Sequence, residues 1–568
     1  MYFVCFVVGF EILPDILLIQ PPIRDFYLTA KRTIPYGLSS IAASLIRHGF
    51  SVEILDALAT KKNRTLELPA QMAPLREFYP EPDLSPFALF YHFRHYGLSF
   101  RHIEEAARSS GAYLVGISAL FTPYIDEALE TAVRVKRACP DCKIVLGGHH
   151  PTQEPESVMQ CGAVDFVLRG EGEFSMPMLA KSLKGNLPIA SVPGIVYRKG
   201  GIVRVSEPAI LDDLDCTPPP AMDLVRHSFY RRGNRGSVAV VASRGCPMTC
   251  SYCSVNAGSC YKYRRRRVRD VLQEIETAVT RFQAGFIDFE DENLSLDRKW
   301  FLTLLDRIAG RFAGCDIELR AMNGLYPPAL DREIVFAMKK AGFRTLNLSL
   351  GTTAGDQLKR FRRQDVTVAF ESALRLAETA GMGAVGYIIV GAPFQSAGDS
   401  IEDLLFLACR RVLPGVSIFY PSPGSADYAL CRDLGLLPGN FSMMRSTAFP
   451  ISHTTTREEA ATLLRLGRIL NFIKHLKDER IALPEPEGIR PGDASDPKDR
   501  LETGKRLLAG FLHDAKIRGM RPDGSIFEHR VSEPLAGRFL DGLRRVPVMG
   551  WKDCGSARSA VAMQKVSA

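Results

Sequence analysis

Cys246, Cys250 and Cys253 stand in the run Cys246-Pro247-Met248-Thr249-Cys250-Ser251-Tyr252-Cys253, a CxxxCxxC spacing preceded by Ser243-Arg244-Gly245. Thiolates are soft ligands that select iron–sulfur clusters, zinc or copper(I). A closed structural zinc site takes four ligands, and this motif offers no fourth cysteine. Three sulfurs around a cubane cluster leave one iron with an open position for a small chelating molecule. The bland alternatives are three buried cysteines or a zinc knuckle, and the Arg-Gly pair with a strand just upstream argues against both.

The octet resembles the signature of the radical S-adenosylmethionine (SAM) superfamily. In that family the open iron chelates the amino and carboxylate groups of the methionine moiety, and an aromatic residue precedes the third cysteine, where this chain has Tyr252. The resemblance implies a [4Fe–4S] cluster on Cys246, Cys250 and Cys253, SAM beside Tyr252, and an external one-electron reductant of the flavodoxin or ferredoxin type.

Such a loop needs elements to hold it. Residues 238–242 form an all-apolar strand leading into it, and further strand patterns follow at 286–289, 317–321, 345–350, 384–390 and 416–420, separated by helical periodicity. Six strand–helix units predict a (β/α)6 partial barrel with reactive groups at the carboxyl ends of its strands. Phe289-Glu290-Asp291-Glu292-Asn293 ends the second strand and resembles the acidic motif of cobalamin-linked radical SAM proteins, which makes Asp291 a candidate SAM contact. Ser349-Leu350-Gly351 stands where relatives have Gly-Glu-Ser, and Gly391 opens a turn in which Gln395 and Ser396 replace Glu and Thr. Ser349 and Gly391 are the further SAM candidates.

The N-terminal half alternates strand and helix patterns, with strands at 51–55, 113–118, 143–146 and 165–168, and predicts a doubly wound, flavodoxin-like parallel sheet. Ligands of such sheets bind beyond the carboxyl ends of strands. Ser118-Ala119-Leu120, a spacer and Gly147-Gly148 fall at two such ends, and the pattern resembles half of the cobalamin-binding signature. The resemblance implies cobalamin contacts at Ser118, Leu120, Gly147 and Gly148. Its other half, D-x-H-x-x-G, is absent, so a histidine ligand to cobalt is not expected. His149-His150, on an extended backbone, would point to opposite sides and are read as binding no metal. Arg169-Gly170-Glu171-Gly172-Glu173 reads as a charged turn near the cofactor cleft.

The 568 residues divide into a cobalamin-binding-like domain (1–185), a proline-dense linker with a short hairpin (186–235), the radical SAM barrel (236–430) and a mainly helical C-terminal region (431–568) ending in a frayed tail. A net charge of +9, spread along the chain, does not argue for nucleic acid, and the basic run Arg264–Arg267 reads as a solvated face. Thirteen cysteines without disulfide-like spacing suit a reducing compartment, read as the cytoplasm; Cys139-Pro140-Asp141-Cys142 reads as a turn. The opening apolar stretch is broken by Glu11, Pro14 and Asp15, so no transmembrane segment is expected. The resemblance implies a radical enzyme acting on a small molecule, methylating an unactivated carbon or a phosphinate phosphorus. The alternative is rearrangement, cyclisation or oxidation without methyl transfer. A cobalamin sensor or a tRNA-modifying enzyme fits less well.

Overall fold

The computed structural model describes residues 13–27, 34–90, 92–255, 262–449, 451, 453–490 and 493–550. The start of the apolar opening and the tail from 551 lie outside the described residues.

The first half is built from β1 (Ile16–Gln20), α1 (Tyr36–Arg47), β2 (Val52–Asp56), α2 (Phe100–Ser110), β3 (Leu114–Ser118), α3 (Ile125–Ala138), β4 (Lys143–Gly147), β5 (Phe166–Leu168) and α4 (Gly172–Leu183). Strands β1 to β5 pair in parallel, and both faces of the sheet are covered, which is why the strands read as continuous apolar runs. Ile16 and Leu18 join one core with Leu38 and Leu45 of α1, while Leu17 and Ile19 join the opposite core with Ala128, Ala132 and Val135 of α3. The sheet continues past residue 185. β6 (Ile195–Lys199) and β7 (Ile202–Val205), the hairpin expected in the linker, form its antiparallel edge, giving the order β7-β6-β5-β4-β3-β1-β2. Strand order reverses between β1 and β3, which opens a crevice at their carboxyl ends.

The second half carries six parallel strands: β8 (Arg235–Val240), β9 (Ala284–Phe289), β10 (Glu318–Arg320), β11 (Thr345–Gly351), β12 (Gly383–Val390) and β13 (Leu413–Ile418). They form two ladders of three, joined by the bridges Leu319–Phe343 and Leu325–Leu348 into one open barrel. Helices α5 (Val268–Phe282), α6 (Arg298–Arg311), α7 (Arg332–Ala341), α8 (Thr367–Thr379) and α9 (Ala397–Ala408) cover its outside. Asp297, Asp331 and Ser396 cap the starts of α6, α7 and α9, each cap worth about 1 kcal/mol.

Helix α10 (Arg457–Asp478) closes the barrel against β13. Its Gly467 lets the backbone approach so closely that an added Cβ would lie 2.7 Å from Val416 Cγ2. α11 (Arg500–Asp514), a small hairpin over Arg518–Met520 and Ile526–Glu528, and α12 (Glu533–Arg545) complete this region; the hairpin was not expected from sequence. One excursion ties the halves together. Between β2 and α2 the chain leaves the sheet, and Met72, Leu75, Tyr79, Phe87 and Phe93 are buried in the same core as the barrel strands and α10. Among the described residues no helix is long and apolar enough to cross a membrane.

Candidate active site

The cysteine loop leaves the carboxyl end of β8 through a two-residue ladder in which Ser243-Arg244 pair with Arg264-Arg265. The acidic motif after β9 grips its entrance. Asp291, 3 % exposed, accepts from the backbone N–H groups of Ala242 and Ser243 and from Ser243 Oγ, and Glu292 Oε2 accepts from Gly245 N at 3.1 Å. Burial pushes the Asp291 carboxyl up to about 7, against those hydrogen bonds and with the nearby Glu292 charge adding to the rise. Asp291, expected to face SAM, therefore has both oxygens engaged by the loop backbone. Its neighbour Glu290 is exposed, with Asn323 Nδ2 at 3.4 Å.

Cys246, Cys250 and Cys253 are free and partly exposed, and Cys253 N–H bonds to Cys250 O at 3.1 Å, turning the loop back on itself. Burial, with the other two sulfurs adding to it, pushes the Cys253 thiol up to about 11. Asn293 Nδ2 donates to Cys246 Sγ at 3.8 Å, and its Oδ1 is buried without a partner. Among the described residues no three His, Cys, Asp or Glu side chains are already closed into a metal cage, and residues 256–261 just beyond the loop are outside the description. Three soft donors on one loop beside an amide donor and an orphaned amide oxygen are chemically suited to an iron–sulfur cluster.

Across the mouth, one guanidinium gathers the other candidates. Arg363 Nη1 donates to Tyr252 Oη at 2.8 Å and to Ser349 Oγ at 3.0 Å, and Nη2 donates to Ser349 O at 2.9 Å. Gly351 beside it turns with φ +84, a backbone conformation that favours glycine, and an added Cβ would make ordinary contact with Arg363 Nη1 at 3.4 Å. Arg363 was missed in the sequence because it closes a run of cations; the turn at Arg362, with φ +53, is what aims it inward. Tyr252 lies edge-on to Phe361 at 5.0 Å. Gly391 ends β12 with φ +78, and an added Cβ would meet nothing nearer than Thr455 Cγ2 at 3.9 Å, so its backbone conformation is what calls for glycine. Gln395, in the place of an expected Glu, is fully buried and folds back on the same turn: Nε2 donates to Ile389 O and Oε1 accepts from Ala392 N.

The N-terminal candidates separate into two groups. Ser118 and Leu120 line a cleft, partly open to solvent, at the crevice between β1 and β3, together with Pro21, Pro22 and Phe121. Gly148 holds that wall from behind: with φ +126, its Cβ would lie 2.6 Å from Ala119 O. Gly147 has room for a side chain, Leu168 O being 3.7 Å from its would-be Cβ. Among the described residues no imidazole lines the cleft. His149 and His150 lie on a short helix (His149–Gln153) rather than on extended backbone, and still diverge: His150 is buried, with Nδ1 3.2 Å from Thr122 Oγ1, while His149 is exposed. The cleft's far wall comes from Tyr420, Arg445 and Ser446. Arg445, 4 % exposed, pairs with Asp25 and donates to the carbonyls of Arg24, Pro123 and Ser442, clamping this wall to the N-terminal half.

Charged groups fasten the two sites together. Arg244 pairs with Glu171 and Glu173, and Arg264 with Glu171, joining the cysteine ladder to the start of α4. The Arg169–Glu173 segment is thus an interdomain anchor rather than a free turn. Arg265, Arg266 and Arg267 are likewise paired, with Asp297, with Glu274, and with Asp215 and Asp270.

Residues 90–180 match the B12 binding domain family and residues 240–408 match the Radical SAM superfamily. The chain joins a B12-binding domain to a radical SAM domain. The cofactor set of these two domains is cobalamin, a [4Fe–4S] cluster and SAM. The chain is 25 % identical over 473 residues to an uncharacterized methyltransferase of Pyrococcus horikoshii, covering 81 % of this chain and 92 % of that protein. It is also 25 % identical to the cytidylyl-2-hydroxyethylphosphonate methyltransferase of Streptomyces wedmorensis, covering 76 % and 84 %. An anaerobic magnesium-protoporphyrin IX monomethyl ester cyclase of Rubrivivax gelatinosus is 29 % identical, over about half of each chain (55 % and 56 %). Among solved structures, the cobalamin-dependent SAM radical enzyme OxsB superposes with a TM-score of 0.60 at 14 % identity, covering 89 % of this chain and 73 % of that one. The radical SAM methyltransferase TsrM of Kitasatospora setae gives 0.57 at 16 %, covering 74 % and 76 %. Both likenesses support the fold of the B12-binding and radical SAM domains.

Proposed function

We propose that this cobalamin-dependent radical SAM enzyme is a methyltransferase that modifies an unactivated carbon, or a phosphinate phosphorus, of a small molecule. The observation that carries the proposal is the ionic anchor of Arg244 and Arg264 on Glu171 and Glu173, which holds the cysteine loop and the B12-binding domain in one frame. Radical transfer depends on contact distances between reacting atoms, so a fixed frame is what this chemistry needs. The two methyltransferase relatives aligned over most of their length favour methylation as its outcome.

When bound, the cofactors supply the bond chemistry: an electron to cleave SAM into methionine and a 5′-deoxyadenosyl radical, and a methyl group carried by cobalamin. The residues of this chain supply the rest. Cys246, Cys250 and Cys253 hold the cluster, with Asn293 donating to Cys246 Sγ. Arg363, held between Tyr252 and Ser349, would offer its guanidinium to the SAM carboxylate. Gly391 shapes the turn after β12 that would flank bound SAM. Asp291 and Glu292 act from behind, fixing the loop entrance. Ser118 and Leu120 line the cleft that would take the corrinoid, Gly148 supports its wall from behind, and Tyr420 and Ser446 close its outer side.

Anaerobic reconstitution with methyl-labelled SAM tests the reading. Methyl transfer yields both 5′-deoxyadenosine and S-adenosylhomocysteine, with label in the product. 5′-Deoxyadenosine without S-adenosylhomocysteine assigns the chain to the cyclase-like alternative. Survival of a SAM-sensitive cluster signal in Cys250→Ala would overturn the ligand assignment.

A further inference from the structure

We infer that the exposed face formed by Lys359, Arg360, Arg362 and Phe394 is the docking surface for an acidic one-electron donor protein. The inference rests on the radical SAM reading above and adds where its electron enters.

The face is strapped to the cysteine loop. Ser251, next to Cys250, donates its N–H to Phe361 O at 3.1 Å, and Phe361 packs edge-on against Tyr252 at 5.0 Å. Ser251 Oγ also donates to Asp427 Oδ2 at 3.0 Å, and Asp427 N donates to Ser251 O at 2.9 Å. Phe361 lies between Arg360 and Arg362, so the two cations sit one residue to either side of a backbone carbonyl that touches the loop. A cleft of about 880 Å³ between Arg360, Arg362, Phe394 and Asp427 has Ser251 in its lining, which brings the surface to the residue beside a cluster cysteine.

The charge and the apolar contact are both in place. Arg360 and Arg362 are exposed, and neither has a carboxylate within ion-pair distance among the described residues. Lys359, its side chain 81 % exposed, pairs with the exposed Asp356 at 3.0 Å. The other acid at the cleft, Asp427, is buried and bonded to Ser251, and Arg432 on the neighbouring helix pairs with Asp433. Arg360 also feels the Asp356 charge and Arg362 that of Asp427, so Lys359, Arg360 and Arg362 stand against two carboxylates and leave the face positive. Phe394 is 39 % exposed, with φ +66, and the Arg360 guanidinium lies 4.3 Å from its ring centroid. An exposed aromatic flanked by unpaired arginines is the composition of a recognition surface, and aromatic and arginine residues dominate binding energies at such surfaces. Arg362 is held in the left-handed region, with φ +53, and is exposed there, while the next residue, Arg363, reaches Tyr252 and Ser349.

Ser251 ties this face to the residue beside a cluster cysteine, and a positive patch there steers a negatively charged donor. The step balances as one electron: an anionic flavin hydroquinone becomes a neutral semiquinone, the cluster goes from the 2+ to the 1+ state, and no proton changes hands. The test compares cluster reduction by a flavodoxin hydroquinone with reduction by photoreduced deazaflavin, a small reductant that needs no docking. Rates are followed anaerobically through the cluster's visible absorbance in the reconstituted full chain and in Arg360→Glu/Arg362→Glu. The expected result is a fall of about tenfold or more in the flavodoxin rate at low salt, loss of its salt dependence, and an unchanged deazaflavin rate. Equal flavodoxin rates in both proteins would overturn the proposal. So would equal slowing with both reductants, since the arginines would then only brace the loop. An anion titrated into the cleft that blocks neither reduction identifies a small-molecule site and overturns it as well. Absence of a cluster in the unmutated protein would instead sink the reading on which the inference rests.

Discussion

Arg363 and Tyr252 meet at 2.8 Å, guanidinium to phenol, and this bond joins the strand-end turn after β11 to the CxxxCxxC loop. A phenol is a weak partner for a guanidinium, so most of the positive charge stays available to an anion entering the mouth. Arg363→Ala is expected to raise the Kd for SAM by about 10- to 100-fold, the worth of a charge-assisted hydrogen bond of roughly 1.5–3 kcal/mol. Tyr252→Phe removes the hydroxyl that accepts from Arg363 and bonds the Cys250 side chain but leaves the guanidinium in place, and should raise it by about threefold or less. SAM titration into the reconstituted protein, read by the cluster's paramagnetic signal, separates the two. An unchanged Kd in Arg363→Ala would reduce the residue to a brace.

The anchor between domains should register in stability. Glu173 is 6 % exposed at its side chain and pairs with Arg244, so Glu173→Gln leaves a mostly buried guanidinium with Glu171, at 3.3 Å, as its remaining carboxylate. Breaking a buried pair outright costs about 3–5 kcal/mol, and the surviving partner brings the expected loss to the lower end of that range or below it. Urea unfolding of the full chain measures it, and a loss under about 0.5 kcal/mol would show that the anchor is not strained by removing the charge.

Gly147 and Gly148 should part company under substitution. Gly148→Ala forces a Cβ to within 2.6 Å of Ala119 O at a φ of +126, a conformation costing about 1–3 kcal/mol beyond the clash, and displaces the Ser118–Leu120 wall. Gly147→Ala meets only Leu168 O at 3.7 Å. Corrinoid retained per mole of purified protein should fall in the first variant and hold near the unmutated level in the second. The reverse order would refute the role given to Gly148.

Acid should loosen the C-terminal region through His529. Its Nε2 lies 2.8 Å from Asp83 Oδ2, while Arg465 at 3.7 Å supplies the positive partner that Asp83 needs. Burial, then the Arg465 charge, lowers the imidazole from 6.5 to about 4, and the contacts around Asp83, led by His529, outweigh its burial and hold its carboxyl at about 2. Neutral imidazole beside carboxylate is the native pair. Between about pH 4 and 6.5 the folded chain binds fewer protons here than the unfolded one, so stability rises with pH across that window and is lost on acidification. The slope is at most about 1.4 kcal/mol per pH unit. Thermal midpoints across the window should fall less steeply for His529→Gln than for the unmutated protein.

Much of the fold is legible in the residues, and the exceptions have physical causes. The barrel strands announce themselves as apolar runs because both of their faces are covered, and the helical periodicity between the first two of them is the observed α5. The 57–98 excursion is different. It is rich in proline and aromatics without a period, and its partners lie hundreds of residues away, so nothing local reveals that Tyr79 and Phe87 belong to the barrel core. At the site, the type of Asp291 suggested a ligand contact, but its position just beyond a buried strand turns it onto the backbone of the neighbouring one. Arg363 was hidden in a charge run until one positive φ separated it from Arg362.

The excursion also fixes an order of events during synthesis. Tyr79 donates to the carbonyl of Thr447, 368 residues further on, and Asp83 bonds His529, 446 residues further on. At about 5–20 residues per second, a ribosome needs roughly 20–90 s to deliver the second partner after the first has emerged. Throughout that interval Tyr79 has Phe26 and Phe90 beside it, but Met72, Leu75, Tyr79 and Phe87 lack the barrel and C-terminal side chains that complete their core, and truncating the C-terminal region would make that exposure permanent.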